Sequence, residues 1–209
     1  MSRKHILIGL WLLAALVSCQ EPVSVCIMPA DVRLRAGDVV FRRGCGLMSQ
    51  AVLRADSHGV YSHTGIVVDS CGTPMIVHSV PAEPDYKGDP DRVKMESPEQ
   101  FFGSDRAVAG EVRRSLDPAV AERVAQTALQ VYRKGTLFDH DYDYRDTTQM
   151  YCTELVLYAF SCAGHPLKVP PSPTPFSLSI IKSDSIYMPS DILKAEDLKL
   201  VRRFGLNEK

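Results

Sequence analysis

The chain has no surplus of either charge: 24 Lys+Arg stand against 25 Asp+Glu, a formal net charge of -1. A nucleic-acid binder needs a basic face, so this balance argues against nucleic acid as a partner. The six cysteines form no C-x-x-C pair and no metal-finger spacing. Neither a metal site nor a cofactor is therefore expected. Internal repeats and long low-complexity stretches are absent too, which points to one domain with its own core. The longest apolar run, Ile6–Leu16, is too short to span a bilayer comfortably.

That run has a different use. It follows the basic start Arg3-Lys4 and ends in small residues before a break, as a secretory signal does. Leu16-Val17-Ser18-Cys19 looks like a bacterial lipobox. Residues 1–18 are expected to be a lipoprotein signal peptide, with Cys19 lipidated and the mature chain held at the bacterial envelope, outside the cytoplasm. Residues 19–33, without a period and with two prolines in the segment, read as a tether, and 34–206 as the folded domain. With Cys19 set aside, five cysteines remain. An odd number in an exported chain leaves at least one free thiol.

The stretch Gln149–Ala163 is the most structured in prospect. Leu155, Val156, Ala159 and Phe160 recur at helical spacing. Thr147 or Thr148 is the expected N-cap. Cys152 then falls in the first turn, where the positive end of the helix favours thiolate over thiol.

Before it, Leu34–Phe41 reads as a turn feeding a strand, Leu47–Arg54 as a short helix and Ser57–Tyr61 as a polar loop. His63–Val68 and Pro74–Val80 are β-rich runs around Asp69-Ser70-Cys71-Gly72, a hairpin. A two-residue loop at Ser70-Cys71 pairs Asp69 with Gly72 and sets His63 directly opposite His78, with Cβ atoms about 4.5–5.5 Å apart. A three-residue loop with a bulge at Gly72 would slip the register by one.

Pro81–Pro98 reads as an irregular surface loop bordering a groove. Ser97-Pro98 opens a short helix over Glu99–Phe102. Then come a strand at Ala107–Val112, a helix from Asp117-Pro118 to Lys134-Gly135, and, after the Cys152 helix, a proline connector at Pro170–Pro175. A short helix from Ser190 or Asp191 and a strand at Leu198–Phe204 close the chain. The sum is an α+β domain, an antiparallel sheet packed against helices. Asp139-His140-Asp141-Tyr142-Asp143 has D-x-D-x-D spacing, but Tyr144 and Met150 occupy the Gly and Glu positions of a calcium loop, so no such loop is expected. Its expected role is a polar loop before the cysteine helix, lining the groove.

A thiol nucleophile needs a base, and the base needs a third group to orient it. Cys152, His63 and His78 fill these roles in that order. The blocks Gly37-Asp38-Val39-Val40-Phe41, Tyr61-Ser62-His63-Thr64-Gly65-Ile66-Val67, Val77-His78-Ser79 and Tyr151-Cys152-Thr153-Glu154-Leu155-Val156 resemble the YiiX/YebB-like, circularly permuted, NlpC-type papain-fold cysteine hydrolases.

The resemblance implies a circularly permuted papain-like fold with Cys152 as nucleophile and His63 as base. His78 stands where such proteins carry a polar third residue, often Glu in YiiX-like members and His in the related lecithin retinol acyltransferases. It implies cleavage of an amide or ester bond, in a small cell-wall peptide or acylated amino compound, through a thioacyl-enzyme. An acyltransferase or a non-catalytic envelope binding module on the same scaffold are the alternatives. Tyr151 replaces the Asp that cell-wall NlpC enzymes commonly carry before the nucleophile, which weakens a peptidoglycan endopeptidase reading. Tyr61, Ser62, Asp139, Tyr151 and Glu154 are the expected substrate-binding residues. No disulfide pairing is assigned.

Overall fold

The computed structural model describes residues 24–56, 59–174 and 183–206. The expected signal peptide, the lipidation site Cys19 and the end of the proline connector lie outside them. In chain order the elements are β1 (Val39–Gly44), α1 (Leu47–Ala55), β2 (His63–Ser70), β3 (Thr73–Val80), β4 (Arg92–Glu96), α2 (Pro98–Phe101), β5 (Ala107–Ser115), α3 (Pro118–Arg133), α4 (Cys152–Cys162), β6 (Ser172–Pro173), β7 (Ser185–Ile186), α5 (Pro189–Ile192) and β8 (Leu198–Gly205). Six strands form one antiparallel sheet in the order β4-β3-β2-β1-β5-β8, and β6 and β7 pair separately. The α+β architecture expected from the sequence is present.

Period-2 alternation gives the sheet two apolar faces. Val39, Phe41, Ile66, Val68 and Val77 join the buried sides of α3 and α4 in the larger core. Val40, Val67, Ile76 and Val112 meet Phe101, Phe102 and Phe204 in a second one. The helix ends follow their sequence signals. The Asp117 carboxylate accepts from the Ala119 and Val120 N–H groups at 2.8 and 3.4 Å. Ser97 and Gln100 form a reciprocal capping box at 3.3 and 3.0 Å. That box fixes α2, whose Phe101 forms part of the floor beneath the two histidines.

Three expectations change. First, Pro81–Pro98 is not all loop: Arg92–Glu96 is edge strand β4, pairing His78 with Lys94 and Ile76 with Glu96. Second, residues 24–33 are laid on the domain rather than hanging free. The Ile27 N–H donates to Phe102 O at 2.9 Å, and Cys26, Ile27, Met28 and Val32 pack on the second core. Third, the hairpin loop is Cys71-Gly72, with Ser70 opposite Thr73. Both loop residues have positive φ, 55° and 83°, as a type I′ turn requires, and glycine is easiest in such a position. The Asp69 carboxylate accepts from the Gly72 N–H at 2.7 Å. The register is displaced by two residues from the one expected, so His63 and His78 are diagonal rather than directly opposed.

Candidate active site

A shift of two preserves the pleat's parity, so the two histidines still share a face. Diagonal neighbours stand about 7–8 Å apart at Cα, within reach of large side chains. Here His63 Nε2 lies 2.8 Å from His78 Nδ1, with the rings edge to face. Phe101 braces both, its centroid 5.7 Å from His63 and 5.1 Å from His78. Gly65 gives His78 its room: a Cβ there would meet Ile76 Cγ2 at 2.8 Å and His78 Cβ at 3.1 Å.

Cys152 comes to the cavity beside His63 from the helix side. It is the first residue of α4, and Tyr151, in extended backbone, is the N-cap. Thr147 and Thr148 therefore do not cap the helix. The start of α4 is pinned by three contacts. Ser79 Oγ donates to Met150 O at 2.5 Å, Thr153 Oγ1 donates to Tyr187 O at 2.7 Å, and the Glu154 carboxylate accepts from the Tyr151 N–H at 3.3 Å. Cys152 is half-buried and free. It shares with His63 a cavity of about 90 Å³ whose walls include Arg42, Val52, Phe138, Tyr142 and Tyr151.

The electrostatics differ from the expected helix-stabilised thiolate. Burial pushes the Cys152 thiol up to about 11, although the backbone N–H groups of Thr64, Thr153 and Cys152 pull the other way. Burial, the Arg42 cation and His78 together hold His63 well below the ordinary imidazole value. Burial also lowers His78, partly offset by Glu96. The resting pair is thus an uncharged thiol beside an uncharged imidazole. Desolvation outweighs the dipole, as it does when few donors meet the charge.

Glu96 and Arg42 were not anticipated at the site. Glu96, buried on β4, places Oε2 3.2 Å from His78 Nε2. Burial alone would raise its carboxyl, but His78, Arg106 and Lys94 hold it well below the usual carboxylate range. The V-K-M-E alternation of β4 was the available signal. Arg42, buried at the cavity wall, lies over the Phe101 ring at 4.9 Å and donates to Phe101 O at 3.2 Å. It also pairs with Glu83.

The five expected substrate-binding residues separate. Tyr151 lines the cavity, buried, its hydroxyl accepting from the Tyr187 N–H at 3.2 Å. Tyr61 lies in the core and donates to Glu111 at 3.1 Å. Ser62 Oγ accepts from the Gly44 N–H at 3.0 Å. Asp139 folds its own loop, accepting from the N–H groups of Asp141 and Asp143 at 2.8 and 2.6 Å. Glu154 opens onto another pocket, of about 260 Å³, beside Tyr144, Tyr158 and Tyr187. Tyr61, Ser62, Asp139 and Glu154 are not among the cavity's described walls. Tyr142, which is among them, was missed. Its φ of 54° and burial between Phe138 and Tyr151 were not legible from a loop rich in Asp.

No family model matches the chain, and no curated protein matches it. A solved structure does: the metalloprotein YiiX from Escherichia coli O157:H7, described as DUF1105. It aligns with a TM-score of 0.66 at 20% identity, covering 84% of this chain and 100% of that one. The likeness is one of fold.

Proposed function

We propose that the protein is an extracytoplasmic cysteine hydrolase, lipid-anchored at Cys19, that cleaves an amide or ester bond in a small peptide or acylated amino compound. The proposed fold is the circularly permuted papain-like one, and the likeness to YiiX supports it. The observation that carries the reading is the 2.8 Å contact between His63 and His78 beside the cavity that His63 shares with Cys152.

Cys152 Sγ attacks the substrate carbonyl carbon while His63 takes the thiol proton. Backbone N–H groups at the start of α4 face the resulting oxyanion. Collapse breaks the bond to the leaving amine or alcohol, which takes the proton back from His63. Water, deprotonated by His63, then attacks the thioacyl carbon; the Sγ–carbon bond breaks, the acid is freed, and His63 returns the proton to Cys152 Sγ. An acyltransferase would differ only in the acceptor that replaces water.

YiiX is described as a metalloprotein. Here His63 and His78 spend a ring nitrogen on each other, and among the described residues no three His, Cys, Asp or Glu side chains gather on one point. The described residues do not fit a metal, and no step runs through one.

The test is acylation by p-nitrophenyl acetate, followed as p-nitrophenol release and located by peptide mass mapping. A stoichiometric burst with the acetyl group on Cys152, lost in Cys152→Ala and in His63→Ala, supports the reading. Acetylation of other residues while Cys152 stays free, in a protein of unchanged thermal stability, overturns it and leaves a binding module.

A further inference from the structure

We propose that Glu96 acts as a positioning residue: it fixes the tautomers of both histidines and so leaves His63 Nδ1 as the lone pair that receives the Cys152 proton. The inference rests on the cysteine–histidine reading above and adds a fourth residue to it.

Glu96 Oε1 already faces cations, with Arg106 Nη1 at 2.9 Å and Lys94 Nζ at 3.4 Å. Among the described residues, Oε2 has no aligned hydrogen-bond donor, and neither has His78 Nε2 an aligned partner. The two atoms are 3.2 Å apart, a polar contact lying off the ideal hydrogen-bond line. A carboxylate oxygen only accepts. Its neighbour, His78 Nε2, must therefore carry a proton.

A neutral imidazole has one N–H and one lone pair. With Nε2 protonated, His78 Nδ1 is an acceptor. His63 Nε2, 2.8 Å away, must then be the donor. That leaves Nδ1 as the free lone pair of His63, whose ring lines the cavity with Cys152. One carboxylate thus sets three protonation choices in a row. A second positive charge on His78 is opposed by Arg42 and by burial.

The chemistry gains twice. In the transition state the thiol proton moves from Sγ to His63 Nδ1 as the Sγ–carbon bond forms. The imidazolium then has two N–H groups, and the one on Nε2 already points at His78 Nδ1. No partner must reorient. His78, polarised by the anion behind it, is a better acceptor than a free imidazole would be, so Glu96 supplies the charge that a histidine third member lacks. The charged groups around the relay come from several elements: Arg42 on β1, Glu83 after β3, Lys94 on β4 and Arg106 before β5. Cys152, the titratable thiol at the start of α4, faces it too. Glu96 is absent from the cavity's described walls, so it acts through His78.

The relay makes Glu96→Gln informative. Arg106 and Lys94 demand an oxygen, so the new carbonyl turns to them and the amide NH2 turns to His78 Nε2. An N–H there needs a lone pair opposite. His78 would shift its proton to Nδ1, His63 Nε2 would become the acceptor, and His63 Nδ1 would carry the hydrogen. The base would then present a donor to the thiol.

Side-chain 15N–1H correlation spectra assign histidine tautomers directly and need no variant. The expected wild-type result is Nε2–H on both His63 and His78. In Glu96→Gln both protons should move to Nδ1, and acetylation of Cys152 by p-nitrophenyl acetate should fall ~10²-fold or more, within the range a lost orienting group or a wrong tautomer produces. Wild-type spectra showing Nδ1–H on either ring overturn the proposal even if the variant fails to fold. So does a folded Glu96→Gln protein that acetylates Cys152 at the wild-type rate, a result that leaves the enzyme reading intact. A wild-type Cys152 that never acetylates sinks both, and is distinguished by appearing before any change at Glu96.

Discussion

The uncharged resting pair makes a quantitative demand on Cys152. With the thiol at about 11, the thiolate fraction at pH 7 is ~10⁻⁴, against roughly 3% for an ordinary cysteine near 8.5. A more basic thiolate is intrinsically more reactive, by ~10-fold over this interval at a Brønsted slope near 0.45. The net expectation is alkylation by iodoacetamide ~30-fold slower than at an ordinary exposed thiol at pH 7. Because His63 is held well below 6.5, it stores no proton near neutrality that would stabilise the thiolate. The rate constant should therefore rise close to tenfold per pH unit from 7 to 10, with no plateau in between. Peptide-resolved alkylation measures this in one sample, with exposed Cys45, Cys71 and Cys162 as internal references. A plateau that begins below pH 8, specific to Cys152 and abolished in His63→Ala, would mean a preformed thiolate–imidazolium pair. Desolvation would then not be what governs the Cys152 thiol.

Other parts of the fold make further demands. Phe101 is fully buried beneath both histidines and Arg42. Phe101→Ala should cost about 3–5 kcal/mol in urea unfolding and lower Cys152 acylation; a loss under ~1 kcal/mol would deny its bracing role. Gly65→Ala would press on Ile76 and on His78 Cβ, costing about 1–3 kcal/mol. Its His63–His78 hydrogen bond should weaken, visible as altered imidazole NMR shifts. Burial raises Glu154 to about 9 from a normal value of 4.5. Such a group binds its proton in the folded state but not in the unfolded state between those values. Its contribution to stability should therefore be fully present below pH 4.5 and be lost, by up to ~1.4 kcal/mol per pH unit, as pH rises towards 9. Glu154→Gln should remove that slope and raise the melting temperature at pH 8; identical wild-type and variant profiles would contradict it.

What the sequence revealed and what it hid follow different rules. Period-2 and helical spacing placed β2, β3, α3 and α4, because those patterns encode which face is buried. Caps written in local chemistry, at Ser97 and Asp117, were legible for the same reason. The start of α4 was not: Tyr151 caps it through backbone geometry and the downstream Glu154, while Thr147 and Thr148 are spent in the preceding turns. The hairpin loop was misplaced because Ser70-Cys71 and Cys71-Gly72 are both short polar pairs. The preference of a left-handed position for glycine decides between them.

The histidine contact survived that error because of a symmetry of the pleat. Any even slip of register keeps side chains on their face, and imidazoles are long enough to bridge the diagonal. A one-residue slip would have sent His78 to the opposite face and dissolved the site. Parity, not register, is therefore what the hairpin has to protect at this site. Glu96 illustrates the converse. Its place beside His78 depends on β4 lying next to β3, a pairing between segments joined by a loop of Pro, Asp and Gly. The V-K-M-E alternation can set Glu96 on a strand face, but it does not say which neighbour that face meets, whereas Glu99 faces solvent. Only the assembled edge strand gives the Glu96 carboxylate a histidine to meet, and His78 together with the two cations behind it, Arg106 and Lys94, makes an ionised group stable at such depth. The proposed nucleophile and base can be read from short motifs, whereas the residue proposed to set their protons is a product of sheet order.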